Sequence, residues 1–284
     1  MAEGSLCISI DLELAWGIWD KPSTEYHARC AEHERAIVSR LLELFDRYHI
    51  SATWAIVARL LDPSPARAGS IWYAPDLVEK IQRAAMPQEI GSHGYEHLYF
   101  AETDRERLRE DLEAAREVHK RHGLEFRSFV FPRNQVAHLD LLESVGLSVF
   151  RSVDRGWHTL VRKRLGVMPG RVANLVDKVL PIPPAVVAPV QHGQLQELPS
   201  SMLLLGRNGV RRAVPRQSLI SKARFGMARA SRRRRIFHLW FHPSNFYYDM
   251  EGQLDTFEQI LLTASKLRDR GRLTIRPMNG YAQA

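Results

Sequence analysis

The chain has 284 residues, 45% of them apolar, enough to bury one sizeable core, and a single domain spanning 1–284 is expected. No run of about 18 apolar residues occurs, and Met1-Ala2-Glu3-Gly4-Ser5 carries no basic leader, so neither a membrane span nor a standard secretory signal is expected and a cytoplasmic location is. Two cysteines, Cys7 and Cys30, exclude a disulfide scaffold and fit a reducing compartment.

In chain order, short β-rich runs alternate with longer helical periods. Strands are expected at Leu6–Leu12, Ala52–Val57, Gln88–His93, Arg127–Phe131, Leu147–Arg151, Leu195–Leu198, Ile236–His242 and Leu273–Arg276. Helical patterns fall at about Arg29–Tyr48, Pro75–Ala85, Thr103–His122, Val136–Val145 and Leu254–Arg270. Pro75 and the capping-box pattern Thr103-x-x-Glu106 mark two of their starts. Such alternation implies βα units, a largely parallel sheet and an α/β barrel, either distorted or incomplete. The interval 156–194 is rich in proline and glycine and reads as an insertion crossing the barrel mouth.

In an α/β barrel, chemistry gathers beyond the C-terminal ends of the strands. Asp11 and Glu13 close the first expected strand, His93 the third and His242 the seventh, while Pro132-Arg133-Asn134 follows the fourth. His93 and His97 stand i,i+4, a spacing that on a helical turn presents two imidazoles to one divalent ion. A carboxylate from another element would complete a three-ligand site with an open position for water, the arrangement of catalytic zinc.

On these motifs the chain resembles the polysaccharide deacetylases of the NodB-homology type, carbohydrate esterase family 4. The motifs are Ser9-Ile10-Asp11-Leu12-Glu13, Ser51-Ala52-Thr53-Trp54-Ala55-Ile56-Val57, Ser92-His93-Gly94-Tyr95-Glu96-His97, Phe131-Pro132-Arg133-Asn134 and His238-Leu239-Trp240-Phe241-His242-Pro243. The resemblance implies a distorted (β/α) barrel and a metal-dependent hydrolase that removes an N-acetyl group from an amino sugar. It implies Asp11 as general base, Arg133 as the arginine that orients it, and His242 as general acid. The acidic partner of His242 would be Asp154. Glu13, His93 and His97 would hold one divalent ion, zinc by its donor set. Glu13 departs from the aspartate usual at its place and reaches about one methylene further. Tyr95, Trp240 and Asn134 are candidates for contact with the sugar.

From Leu198 to Tyr248 there is no acidic residue and there are eleven Lys and Arg, against +8 for the whole chain, leaving −3 for the remainder. The basic segment 207–235 is either a solvated helix or an anion-binding face for a nucleotide- or lipid-linked sugar or an anionic membrane. Phe225 is its only aromatic, which argues against nucleic acid. The favoured function is therefore deacetylation of an intracellular glycan precursor. The alternatives are a catalytically inactive barrel that binds an anionic glycan precursor or membrane partner, and a metal-independent cyclic-amide hydrolase.

Overall fold

The computed structural model describes residues 3–18, 20, 25–64, 69–153 and 164–282. β1 (Ser5–Leu12) is buried along its whole length. It pairs in parallel with β2 (Thr53–Ile56) on one side and β9 (Ile236–Phe241) on the other. From β2 the parallel order continues through β3 (Glu89–Ser92), β4 (Ser128–Val130), β5 (Val149–Ser152) and β7 (Leu195–Pro199). Two residues after β7, β8 (Met202–Leu203) pairs with β9. The run 195–203 therefore crosses from one edge of the sheet to the other, with Ser200 N–H on Ser152 O and Ser201 N–H on His238 O at the crossing. This bend brings the two edges together and makes the sheet a distorted (β/α) barrel.

All eight expected strands form. β10 (Thr274–Ile275) extends the lower edge of β1, and the sequence reading missed only the two-residue β8 and β6 (Val190–His192), a half-exposed antiparallel edge on β7. Neither has room for an alternation pattern.

The helices follow their apolar stripes. In α1 (Glu25–Tyr48), Cys30, Ala31, Ile37, Val38, Leu41, Leu42 and Phe45 are buried at helical spacing. α2 (Pro75–Gln82) opens on proline at its first turn. α3 (Arg105–Arg121) starts one residue later than the capping-box reading: Asp104 caps it by accepting from Arg107 N–H, in place of Thr103. α4 (Leu139–Ser144) is shorter than expected because His138 is left-handed (φ 52°) and cannot begin the helix. The interval 156–194 contains α5 (Val167–Val179) as well as β6, with 154–163 outside the described residues. The basic segment forms α6 (Arg216–Arg233), and α7 (Met250–Asp269) completes the outer layer. Among the described residues no helix is long and apolar enough to cross a membrane.

The two faces of β1 explain where the site lies. Leu6, Ile8, Ile10 and Leu12 face outward into the main core beneath the helices. Cys7 faces inward with Ala55, Val130, Val149, Leu198 and Ile236, a small inner core. Alternation along the same strands places Ser9, Asp11, Arg151 and His238 on that inward face as well. They lie above the apolar plug toward the C-terminal rim.

Candidate active site

Asp11 is 3% exposed and Arg151 fully buried, joined by two parallel bonds of 2.6 Å from Nη1 and Nη2 to Oδ1 and Oδ2. Arg151 also donates to Ser9 Oγ (3.0 Å) and Asn134 Oδ1 (3.3 Å), and its guanidinium lies 4.3 Å from the centre of the Trp240 ring. Burial, the largest single influence, pushes the Asp11 carboxyl up, but the charge and hydrogen bonds of Arg151 together with the imidazoles of His242 and His93 outweigh it and hold the group below its ordinary value. This carboxylate stays ionised.

The arginine expected to orient Asp11 was Arg133, and the structure corrects that assignment. Arg133 and Asn134 are both left-handed (φ 55° and 54°), which turns the Arg133 side chain outward to Asp20 (3.4 Å) and over the Tyr99 ring (5.0 Å). Arg151 takes its place from an inward-facing position of β5. The signal was in the sequence: an arginine at an inward position of a strand flanked by Val149 and Phe150 must find a buried anion.

His93 and His97 do converge, though not on a helical turn. The stretch between them is a loop with Gly94 at φ 81° and His97 at φ 60°. Its shape is held by Asp111 of α3, whose two oxygens accept from Tyr95 N–H and Glu96 N–H, each at 2.8 Å. Asp111 is buried within the apolar stripe of Leu108, Leu112 and Ala115, the sequence signal by which it could have been found.

Around one oxygen of Glu13, three imidazoles gather: Oε1 lies 2.9 Å from His93 Nε2, 3.2 Å from His97 Nε2 and 3.3 Å from His242 Nε2. His93 Nδ1 donates to the Val130 carbonyl at 2.6 Å, so in the neutral ring Nε2 is a lone pair aimed at a carboxylate. Two acceptors pointing at each other is the arrangement a cation reconciles. Burial and the Glu13 charge act oppositely on His97, and burial wins, lowering its value and favouring the neutral ring a metal requires. The ligand atoms of Glu13, His93 and His97 all lie within 4.8 Å of one another, and so do those of Asp11, Glu13 and His242. The first set matches one carboxylate with two imidazoles around a divalent ion.

His242 directly follows β9, with Nε2 3.6 Å from Asp11 Oδ2. Burial pulls its value down, yet the Glu13 carboxylate and then Asp11 outweigh that and push it up to about 9. Asp154, the candidate acidic partner of His242, lies outside the described residues. Tyr95 is turned from the site: its hydroxyl donates to Asp62 and Arg59 covers its ring at 4.2 Å. Trp240 lies beneath the site with Arg151 over its ring, so its part is to pack against the guanidinium. Asn134 is spent on Arg151.

A cleft of about 260 Å³ opens onto Asp11, Glu13 and His242, walled by Leu14, Ile18, Glu34 and Asn208. Glu34 is buried on the apolar stripe of α1, and its burial, reinforced by the Glu13 charge, pushes it up to about 8. It therefore faces the cleft as a neutral acid at pH 7. Sequence reasoning missed it, although an acid in that stripe is itself a signal.

Residues 30–147 match the family model described as polysaccharide deacetylase. Over that segment the chain is similar to the polysaccharide deacetylase family. That family comprises carbohydrate esterases of family 4, amidohydrolases that act on N-acetyl groups. The matched segment includes His93, His97, Arg133 and Asn134, whereas Asp11, Glu13, Arg151 and His242 lie outside it and are brought in by the barrel. A protein named as a polysaccharide deacetylase from Mycobacterium smegmatis superposes with a TM-score of 0.68 at 15% identity, covering 98% of this chain and 88% of that one. One so named from Pseudomonas aeruginosa PAO1 gives 0.65 at 14%, covering 98% and 89%. The Puue allantoinase gives 0.65 at 13%, covering 98% and 88%. These likenesses establish the fold. A comparison with curated protein sequences found no match.

Proposed function

We propose that this protein is a metal-dependent N-deacetylase that hydrolyses the acetamido group of an amino sugar. The observation that carries the reading is the convergence of Glu13, His93 and His97 within 4.8 Å, beside the Asp11–Arg151 pair and His242. Glu13, His93 and His97 would hold the ion, and an oxygen with two imidazole nitrogens suits zinc. When bound, such an ion supplies Lewis-acid polarisation of the amide carbonyl and lowers the pKa of water.

The remaining work falls to the chain's own groups. Asp11, kept ionised by Arg151, takes the proton of the attacking water. His242, whose Nε2 lies 3.6 Å from Asp11 Oδ2, gives a proton to the departing nitrogen as the C–N bond breaks, leaving acetate and a free amine. Asn134 holds Arg151, and Arg151 holds Asp11. Asp154 is retained as the proposed further partner of His242. A metal-independent cyclic-amide hydrolase shares the fold but would not need Glu13 and both imidazoles to converge.

The proposal extends to an intracellular, nucleotide- or lipid-linked precursor as substrate. Its support is Asn208 on the cleft wall, followed directly by the basic turn of Arg211 and Arg212. Contact between the basic surface and an anionic membrane remains part of the same proposal. Acetate release from N-acetylglucosamine carriers, measured for the zinc-loaded protein beside Asp11→Asn and His93→Ala/His97→Ala, tests the reaction. Release by the parent that both variants lose is expected; equal release by all three overturns it.

A further inference from the structure

Glu13 is longer by one methylene than the aspartate expected at its place, so something must accommodate the added length. After Glu13 the chain folds straight back in a tight turn, Leu14–Ile18, with Leu14 left-handed (φ 48°) and Trp16 N–H donating to the Glu13 carbonyl at 3.0 Å. That turn is anchored from outside. Ala15 N–H donates to Ile71 O at 3.1 Å, Trp16 Nε1 donates to Trp72 O at 2.8 Å, and the two indoles meet edge to face at 5.1 Å.

The anchored turn lays Gly17 directly against the Glu13 side chain. A Cβ at position 17 would fall 1.8 Å from Oε2, 2.8 Å from Cδ and 3.1 Å from Cβ of Glu13. Gly17 is not among the residues with positive φ, so its backbone does not require glycine. What position 17 requires is empty space, and the carboxylate fills it. With Oε2 seated on Gly17, Oε1 is left facing His93, His97 and His242.

We propose that Gly17 is the positioning residue for Glu13: the missing side chain at 17 is what lets the longer carboxylate turn toward His93 and His97. The inference rests on the metal-site reading above. Any side chain at 17 rotates the carboxylate out of the ligand set while the turn itself, held by Ala15 and Trp16, stays in place. A shorter carboxylate removes the conflict.

The test is zinc affinity, read by competition with a chromogenic chelator, for the parent, Gly17→Ala, Glu13→Asp and the double variant, with thermal melts of the zinc-free forms. Gly17→Ala is expected to weaken zinc binding at least tenfold. Adding Glu13→Asp to it should cause no further loss and should recover part of the affinity, although Glu13→Asp alone weakens the parent. If Gly17→Ala does not fold, folding of the double variant gives the same answer, because the conflict is then with the length of Glu13. Parent-like zinc affinity in Gly17→Ala overturns the inference, as do losses that simply multiply in the double variant, or failure of both variants to fold. A parent that binds no zinc removes the metal-site reading and this inference with it.

Discussion

Replacing Arg151 tests the centre of the site more directly than replacing any expected ligand. Arg151→Met keeps much of the apolar volume but removes the charge that answers Asp11, a carboxylate 3% exposed with both oxygens committed to the guanidinium. Breaking one side of a buried, bidentate pair costs about 3–5 kcal/mol, because the remaining ion is stranded. Converting the pair to neutral groups of similar shape costs much less, so Arg151→Met/Asp11→Asn should recover at least about 2 kcal/mol of the loss. Arg151→Lys should fall between, since one ammonium cannot make two parallel bonds. The functional consequence has a definite sign. A carboxyl held low in the folded state adds stability above its unfolded value and loses it as pH falls through the folded one. Without Arg151 that contribution vanishes, Asp11 titrates at higher pH, and the acid limb of kcat/KM moves upward. Urea denaturation across the four-member cycle gives the energies, and acetate release against pH gives the limb. A loss below about 1 kcal/mol in Arg151→Met, an additive cycle, or an acid limb moved by Arg133→Met instead would refute the reasoning.

Asp111→Ala should leave two loop N–H groups without an acceptor and relax the turn between His93 and His97, lowering zinc affinity at least tenfold in a chelator competition while His93 and His97 remain present. In zinc-free protein, Glu34 binds its proton more tightly folded than unfolded, so its presence erodes stability as pH rises from about 4.5 to about 8. Denaturation midpoints of Glu34→Gln should therefore gain on the parent across that window; parallel curves would count against it. NMR titration of zinc-free protein should find His242 protonated up to about pH 9, and zinc should move the transition down by taking up the Glu13 charge. Replacing Arg232–Arg235 with glutamine should leave acetate release from short acetylated sugars unchanged within twofold, since those arginines stand at the end of β9 remote from His242; a larger fall at low salt would mean that substrate reaches them.

That last expectation shows where sequence and structure part. The basic segment reads as one surface in the sequence, yet β9 begins at Ile236 opposite Ser5 and ends at Phe241 opposite Ile10, so its six residues separate Arg232–Arg235 from His242 by roughly 20 Å. Only the stretch beginning at Arg207, beside Asn208, is near the cleft. At the far rim, the arginines close the C-terminal turn of α6, where cations complement the helix dipole. The fold was legible because each strand alternates or runs apolar between turn residues, and the helices carry long stripes. The convergence of Glu13, His93 and His97 was legible too, though for a mistaken reason: i,i+4 spacing suggests a helical turn, while the two imidazoles meet through a loop braced by Asp111. What escaped was every group whose role depends on a face and not on a motif. Arg151 on the inward face of β5, Asp111 on the stripe of α3 and Glu34 on the stripe of α1 are charged residues at positions where burial is dictated by their neighbours. In a barrel with its chemistry at one rim, a charge forced inward must be neutralised by a partner or a proton. Arg151 meets Asp11, Asp111 meets two backbone amides, and Glu34 keeps its proton, so each exception to the apolar pattern points at the same cluster of groups around Glu13.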